Sequence, residues 1–368
     1  MPGEISVKVC VTGDVWSSGS TRPLDVLAVL ELCDARRHVL LLSPSGRQQA
    51  TQWIDEHTRD KSALKVQLLR LLEENQRAGP FAPADGAMIT MVADKTDWNR
   101  ARFVPTLALR LLRRPLKLLV ENSRNDRAFL LKLAEPGPRD KLRAAIEAGW
   151  IEFEMGGGLS EIHQRLLGFS GDAHMLADHL KVELARLWLM FDRDIDPLDH
   201  TQESKQSRKL REYAAQLTVP WPLAAHQLER RAIENYIPAE TIRGWWCGQA
   251  DTNAARLARE RRAEAFLANT GLSLQARQSY NMKRGLLGDL SDKRRTEIRG
   301  AGPPLDDAEL DPLYRNLPPS VRGPLKTGGF KDLANAFKEP GVVSDRALNQ
   351  EVRPGERRRL VASILARM

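Results

Sequence analysis

The chain has 368 residues, 42% of them hydrophobic and 28% charged, with a formal net charge of +8. That length allows two or three domains at about 100–200 residues each, and the apolar share supports buried cores, which excludes a wholly disordered chain. The positive balance favours an acidic partner such as nucleic acid, because Lys and Arg displace counterions from phosphates.

Cys10, Cys33 and Cys247 are scattered, with no CxxC pair, so neither a disulfide framework nor a zinc site is expected. No apolar stretch approaches the ~20 residues of a membrane span, and the opening MPGEISVKV lacks the apolar core of a signal peptide. A cytoplasmic protein with reduced thiols and no membrane partner is the expectation.

In chain order, residues 5–11 (ISVKVCV) are β-branched and apolar, residues 24–33 suit a helix, and residues 38–42 (HVLLL) read as a short buried strand. Residues 48–57 suit another helix. The pattern breaks over residues 79–83 and resumes with AMITMV at 87–92. Residues 1–113 thus form a first α/β unit, expected to recognise a partner or substrate.

A second unit, residues 114–240, opens with LKLLV at 116–120, a continuous apolar run typical of a strand covered on both faces. Further strands are predicted at 150–153 (WIEF), 185–191 (ARLWLMF) and around 219–221, with helices between them. Strands alternating with helices predict a parallel sheet. Residues 241–368 read as a helical, basic extension packing on or near the second unit. Residues 251–300 hold eleven Lys/Arg against six Asp/Glu. Arg261, Arg262, Arg294 and Arg295 are the expected nucleic-acid contacts there. No internal repeat is visible.

Glu121 directly follows LKLLV, and Asp192 and Asp194 directly follow LWLMF. Open parallel sheets place their chemistry at the carboxyl ends of strands. If these two strands are neighbours, three carboxylates converge on one rim. Like charges so placed raise each other's pKa, a penalty that a divalent cation reverses. A bound cation can polarise a phosphoryl oxygen and orient water. Strand-end acids that merely face solvent or cap helices remain the plainer alternative.

Together, LLVENSRNDRAFL (118–130), LWLMFDRDID (187–196) and LERRAIENYIP (228–238) resemble the TOPRIM domain, in the branch of the overcoming-lysogenization-defect (OLD) nucleases of bacterial antiphage defence. The resemblance covers roughly residues 115–240. It implies a nuclease cleaving DNA or RNA with Mg²⁺ or Mn²⁺. Its site residues would be Glu121, Asp192, Asp194 and Glu234, with Asp126 as a further acidic position. YNMKRG (280–285) is similar to the family's basic element, which makes Lys283 the candidate for stabilising phosphoryl charge. LKTGGFKDLANAF (325–337) is similar to its Gly-Phe element, without assigned chemistry. An ATPase or other defence-system protein is the implied partner, and an oligomer is allowed.

Two departures stand out. The family usually has Gly after the first Glu, where this chain has Asn122, and the spacing to Asp126 is one residue longer. They keep open a second class of function, a TOPRIM-like module that binds nucleic acid or a phage protein without cutting.

Other features carry less. His163, His174 and His179 lack the spacing of a metal-binding helical face. Gly156-Gly157-Gly158 lacks a P-loop pattern and suits tight packing. The N-terminal unit resembles a PIN-like nuclease only faintly, since residues 43–50 (SPSGRQQA) are neutral or basic where acids are needed. Trp245-Trp246 suits burial better than base stacking. The four tyrosines sit in no topoisomerase-like context.

Overall fold

Short apolar runs bounded by helices build two four-stranded sheets, parallel throughout, in a mixed α/β fold. The computed structural model describes residues 7–17, 19, 21–35, 37–58, 61–78, 87–169, 175–195, 202–267, 272–290, 294, 296, 310, 313–315, 317–327, 329–330 and 332–368. The first sheet contains β1 (Lys8–Val11), β2 (Val39–Leu41), β3 (Met88–Met91) and β4 (Arg102–Phe103), in the order β2-β1-β3-β4. The second contains β5 (Leu116–Val120), β6 (Ile151–Met155), β7 (Leu187–Phe191) and β8 (Ala224–Gln227), in the order β6-β5-β7-β8. The two sheets therefore share one strand order.

Period-two alternation divides the second sheet between two cores. Leu116, Leu118, Val120, Trp188 and Met190 face a core completed by C-terminal residues, including Tyr280, Phe330, Phe337 and Leu360. Leu119, Leu187, Leu189 and Phe191 face the other way, into a core shared with the first sheet and its helices. Because β5 and β7 are buried on both faces, their sequences read as unbroken apolar runs. Phe129, on the helix Ser123–Leu133, packs edge-on against both Tyr236 and Phe337.

Several boundaries differ from the sequence expectation. Residues 219–221 form a turn rather than a strand. The Val219–Pro220 bond is cis, and the Val219 N–H donates to the Trp221 carbonyl at 3.1 Å. The fourth strand lies further on, at Ala224–Gln227. Ala185 ends the helix Asp178–Ala185, so β7 starts at Leu187. Helices at Ser62–Ala78 and Pro105–Arg113 add to those expected in the first unit. Among the described residues, no helix is long and apolar enough to cross a membrane.

Where the two sheets meet, cations are buried among carbonyls. The Arg186 guanidinium donates to Arg114 O at 3.1 Å and Met368 O at 3.3 Å, and Arg37 donates to Arg114 O at 2.8 Å. Burial pushes Arg186 down to about 9 and Arg37 to about 10. These contacts tie the C-terminal helix Pro354–Leu365 and the residues after it to both sheets.

Candidate functional site

The chain runs from β5 to β6 on one side, then crosses to β7 on the other. The strand order thus reverses between β5 and β7, where open α/β sheets bind ligands. Both strands run in the same direction, with Leu118 opposite Trp188, so Glu121 and Asp192 leave the sheet at the same edge. The Asp192 N–H donates to Glu121 Oε1 at 3.0 Å.

Asn122 follows as the N-cap of the helix Ser123–Leu133, its side-chain oxygen accepting from the N–H groups of Arg124 and Asn125, each at 3.2 Å. Its φ of −133° is extended backbone that any residue adopts, so Gly is not required there. Asp126, one turn into the helix and buried, reaches back to accept the Asn122 N–H at 2.7 Å. This local cap folds Asp126 towards Glu121. Gly156, after β6, packs beneath this edge with its N–H on Val120 O at 2.7 Å. A Cβ there would lie 2.2 Å from the Ile162 side chain, so the glycine run serves close packing.

Glu234 arrives from the other side, on the single turn Ile233–Tyr236, where it is buried. Its Oε1 lies 3.4 Å from Lys283 Nζ, and its Oε2 is buried without a hydrogen-bond partner. Asn235 fixes the separation of these two groups. Its amide nitrogen donates to Arg277 O at 2.9 Å and Tyr280 O at 3.0 Å, joining the Glu234 turn to the segment that carries Lys283. That segment is in turn held by the Gly-Phe element: Tyr280 Oη donates to Leu325 O at 2.9 Å, and Phe330 N–H to Met282 O at 3.2 Å.

This proximity shifts the protonation of these groups. Burial pushes Asp126 up to about 7, reinforced by Glu121 and Glu234. Asp192 is pushed well above the usual carboxylate range, by burial first and then by Glu121 and Glu234. Glu121 is raised by burial, partly offset by the Asp192 N–H. Burial works against the Lys283 ammonium, but Glu234, Asp192 and Glu121 outweigh it and raise its pKa. Five of the predicted groups, Glu121, Asp126, Asp192, Glu234 and Lys283, therefore share one field.

Asp194 sits at the margin of this group. Its φ of 41° is left-handed, and its Oδ1 accepts the Ile195 N–H at 3.0 Å and pairs with Arg231 at 3.2 Å. The predicted nucleic-acid contacts diverge more. Arg261 is exposed on the helix Asn253–Leu267, whereas Arg262 donates through Nε to Pro324 O at 3.1 Å and packs by Gly329. Arg294 is half-buried and engaged by neighbouring groups, and Arg295 lies outside the described residues. His163 packs edge-on to Tyr213, Trp246 is buried under Arg259, and His174 lies outside the described residues.

One buried network escaped the sequence reading. Glu356, from the C-terminal helix, accepts the Tyr236 hydroxyl and the Glu229 N–H, the latter at 2.9 Å, and lies 3.7 Å from His226. The Tyr236 hydroxyl also accepts the Arg230 N–H at 3.1 Å. This network anchors the turn that carries Glu234 from behind.

Two observations bear on whether these residues suit a divalent cation. The donor set is hard carboxylate oxygen, and the orphaned Glu234 Oε2 together with the raised acids would gain from added positive charge. As placed, however, no three His, Cys, Asp or Glu side chains among the described residues form a group that could hold a metal ion. The residues fit in kind and charge, and the acids must close in to share a cation.

The first sheet repeats the strand order, and an acid again follows its first strand in the chain. Asp14 follows β1 and accepts the Ala93 N–H, just after β3, at 3.1 Å. That bond matches the one from Asp192 N–H to Glu121. The chain matches no protein-family model, no curated protein and no solved structure.

Proposed function

We propose that this protein is a metal-dependent nuclease, cutting phosphodiester bonds of DNA or RNA at the edge between β5 and β7. The observation that carries this reading is the gathering of Glu121, Asp126, Asp192 and Glu234 around Lys283 at a sheet's topological switch point. Glu121, Asp192 and Glu234, with Asp194 at the margin, are the groups that would hold Mg²⁺ or Mn²⁺. Bound there, the cation supplies Lewis-acid polarisation of a phosphoryl oxygen. Lys283, paired with Glu234 at 3.4 Å, would present its positive charge to the phosphoryl group as negative charge develops on it. Asp126, raised to about 7 by burial, holds its proton below neutrality while the site is metal-free, which limits repulsion among the acids there. The setting in bacterial antiphage defence, beside an ATPase or other system component, follows from the TOPRIM resemblance alone.

The test is direct. Purified protein is incubated with supercoiled plasmid, linear DNA and total RNA in Mg²⁺, Mn²⁺ or EDTA. Cleavage of at least one substrate with metal, and none with EDTA, is expected; intact substrates under both metals overturn the reading. A second reading, a module that binds nucleic acid without cutting, is favoured by one observation: Lys283 already pairs with Glu234, while among the described residues no three acids stand grouped for a metal. It predicts equal nucleic-acid affinity with and without divalent metal, and no cleavage.

A further inference from the structure

Beside the acids lies a cavity of about 820 Å³, within the usual range of ~300–1,000 Å³ for ligand sites. It opens beyond the carboxyl end of β8. Gln227 at that strand end lines it together with Gln275, Gln278, Arg193, Arg353 and Leu274.

Short bonded paths link the cavity to the acid cluster. Arg193 stands between Asp192 and Asp194 in the chain. The Gln227 amide donates to Ser207 Oγ at 2.7 Å, and that hydroxyl donates to Asp192 O at 2.9 Å. Also in the lining, Gln278 O accepts the Arg231 N–H at 3.1 Å, and Arg231 pairs with Asp194. A polymer with one phosphate at the acids would therefore lead its neighbouring nucleotide into this cavity.

The charges of the lining are unevenly spent. Glu203 is bound by Arg211 at 2.6 Å from outside the lining and by the Gln227 amide within it, and Glu229 is bound by Arg359 from outside. The Tyr236 hydroxyl donates to Glu356. The acids thus have close partners, while Arg353, 82% exposed, holds Glu229 only loosely at 3.9 Å. Exposed along the lining are a planar amide, Gln275, a guanidinium group, Arg353, and the Leu274 side chain. Guanidinium groups suit phosphate, amides suit the hydrogen-bonding edges of bases, and an apolar side chain suits a base face. Those edges and faces are accessible together only when bases are unpaired.

We propose that this cavity seats single-stranded nucleic acid next to the phosphate held at the acid cluster. The placement relative to cleavage rests on the nuclease reading; the binding itself does not. Fluorescence anisotropy with a labelled 12-nucleotide DNA strand, the matching RNA strand and the DNA duplex, in EDTA with the full chain, tests it. The exposed pair Gln275→Glu with Arg353→Glu should weaken single-strand binding at least tenfold and flatten its salt dependence, with duplex affinity changed less than twofold. Gln275→Lys, equally exposed, should tighten single-strand binding about threefold. Comparing the DNA and RNA arms shows which strand the cavity prefers.

Single-strand affinities within twofold of wild type in both variants overturn the proposal, as do equal losses for single strand and duplex. A wild-type protein that binds no single strand overturns it too. Because the assay contains no divalent metal, cleft-dependent binding by a protein that never cuts would sustain this site and refute the nuclease reading. Metal-dependent cutting with cleft-independent binding would do the reverse.

Discussion

Replacing Asp126 with Asn separates the electrostatic cost of the acid cluster from its architecture. The amide oxygen still accepts the Asn122 N–H, so the helix cap survives while one negative charge disappears. In the folded protein Asp126 is buried and its pKa stands at about 7 against an ordinary 3.8. A carboxyl that holds its proton more tightly folded than unfolded favours folding fully below about pH 4, and loses that advantage as pH climbs to about 7. At roughly 1.4 kcal/mol per pKa unit the whole effect is about 4 kcal/mol above pH 7, with about 1.5 kcal/mol already incurred at pH 5. Urea unfolding at pH 5 and pH 8 should therefore show Asp126→Asn more stable than wild type at both values. Its margin should widen by about 2–3 kcal/mol at the higher pH. A margin equal at the two pH values, or a variant less stable than wild type at pH 8, would refute the buried-carboxylate argument.

Other substitutions divide chemistry from structure. Asp192→Asn should abolish cleavage and raise the melting temperature, because it relieves repulsion from Glu121 and Glu234. Asp194→Ala should also abolish cleavage but cost about 1 kcal/mol in urea unfolding, since the buried Arg231 loses its carboxylate partner. Arg261→Glu should weaken nucleic-acid binding and flatten its salt slope at unchanged stability. Arg262→Glu should instead destabilise by about 1–2 kcal/mol through the lost bond to Pro324 O, visible in the same melts. Tyr236→Phe removes the hydroxyl between Glu356 and the Arg230 N–H. It should cost about 1–3 kcal/mol and slow cleavage in step, as the Glu234 turn loosens.

What could be read from residues alone follows from how each element is buried. LKLLV and LWLMF are covered on both faces, so their apolar runs announced strands, and the acids just beyond them fell on one edge as expected. The edge strand Ala224–Gln227 is only partly buried, so its AAHQ sequence gives no such signal, while the apolar residues just before it form a turn. Asp126 was placed by a cap that the sequence does show, an Asn at a strand end with an acid four residues on. Asn235 was visible only as part of a motif, and its role in joining two distant segments needed coordinates. Glu356 had no local signal, because its partner Tyr236 lies 120 residues away. The shared strand order of the two sheets was hidden for a similar reason. It is a likeness of backbone path, with Asp14 and Glu121 as the side chains that follow it.

The contact between Glu356 and the Tyr236 turn also makes the site depend on distant stretches of the chain. Glu121, Asp126 and Asp192 sit on the second sheet and the helix Ser123–Leu133, whereas the clamp behind Glu234 comes from the helix Pro354–Leu365. The Arg357 guanidinium of that helix donates to Leu133 O at 2.7 Å, at the end of the Asp126 helix. Local opening of the C-terminal helix would therefore release the Glu234 turn while the other three acids stay on their sheet edge.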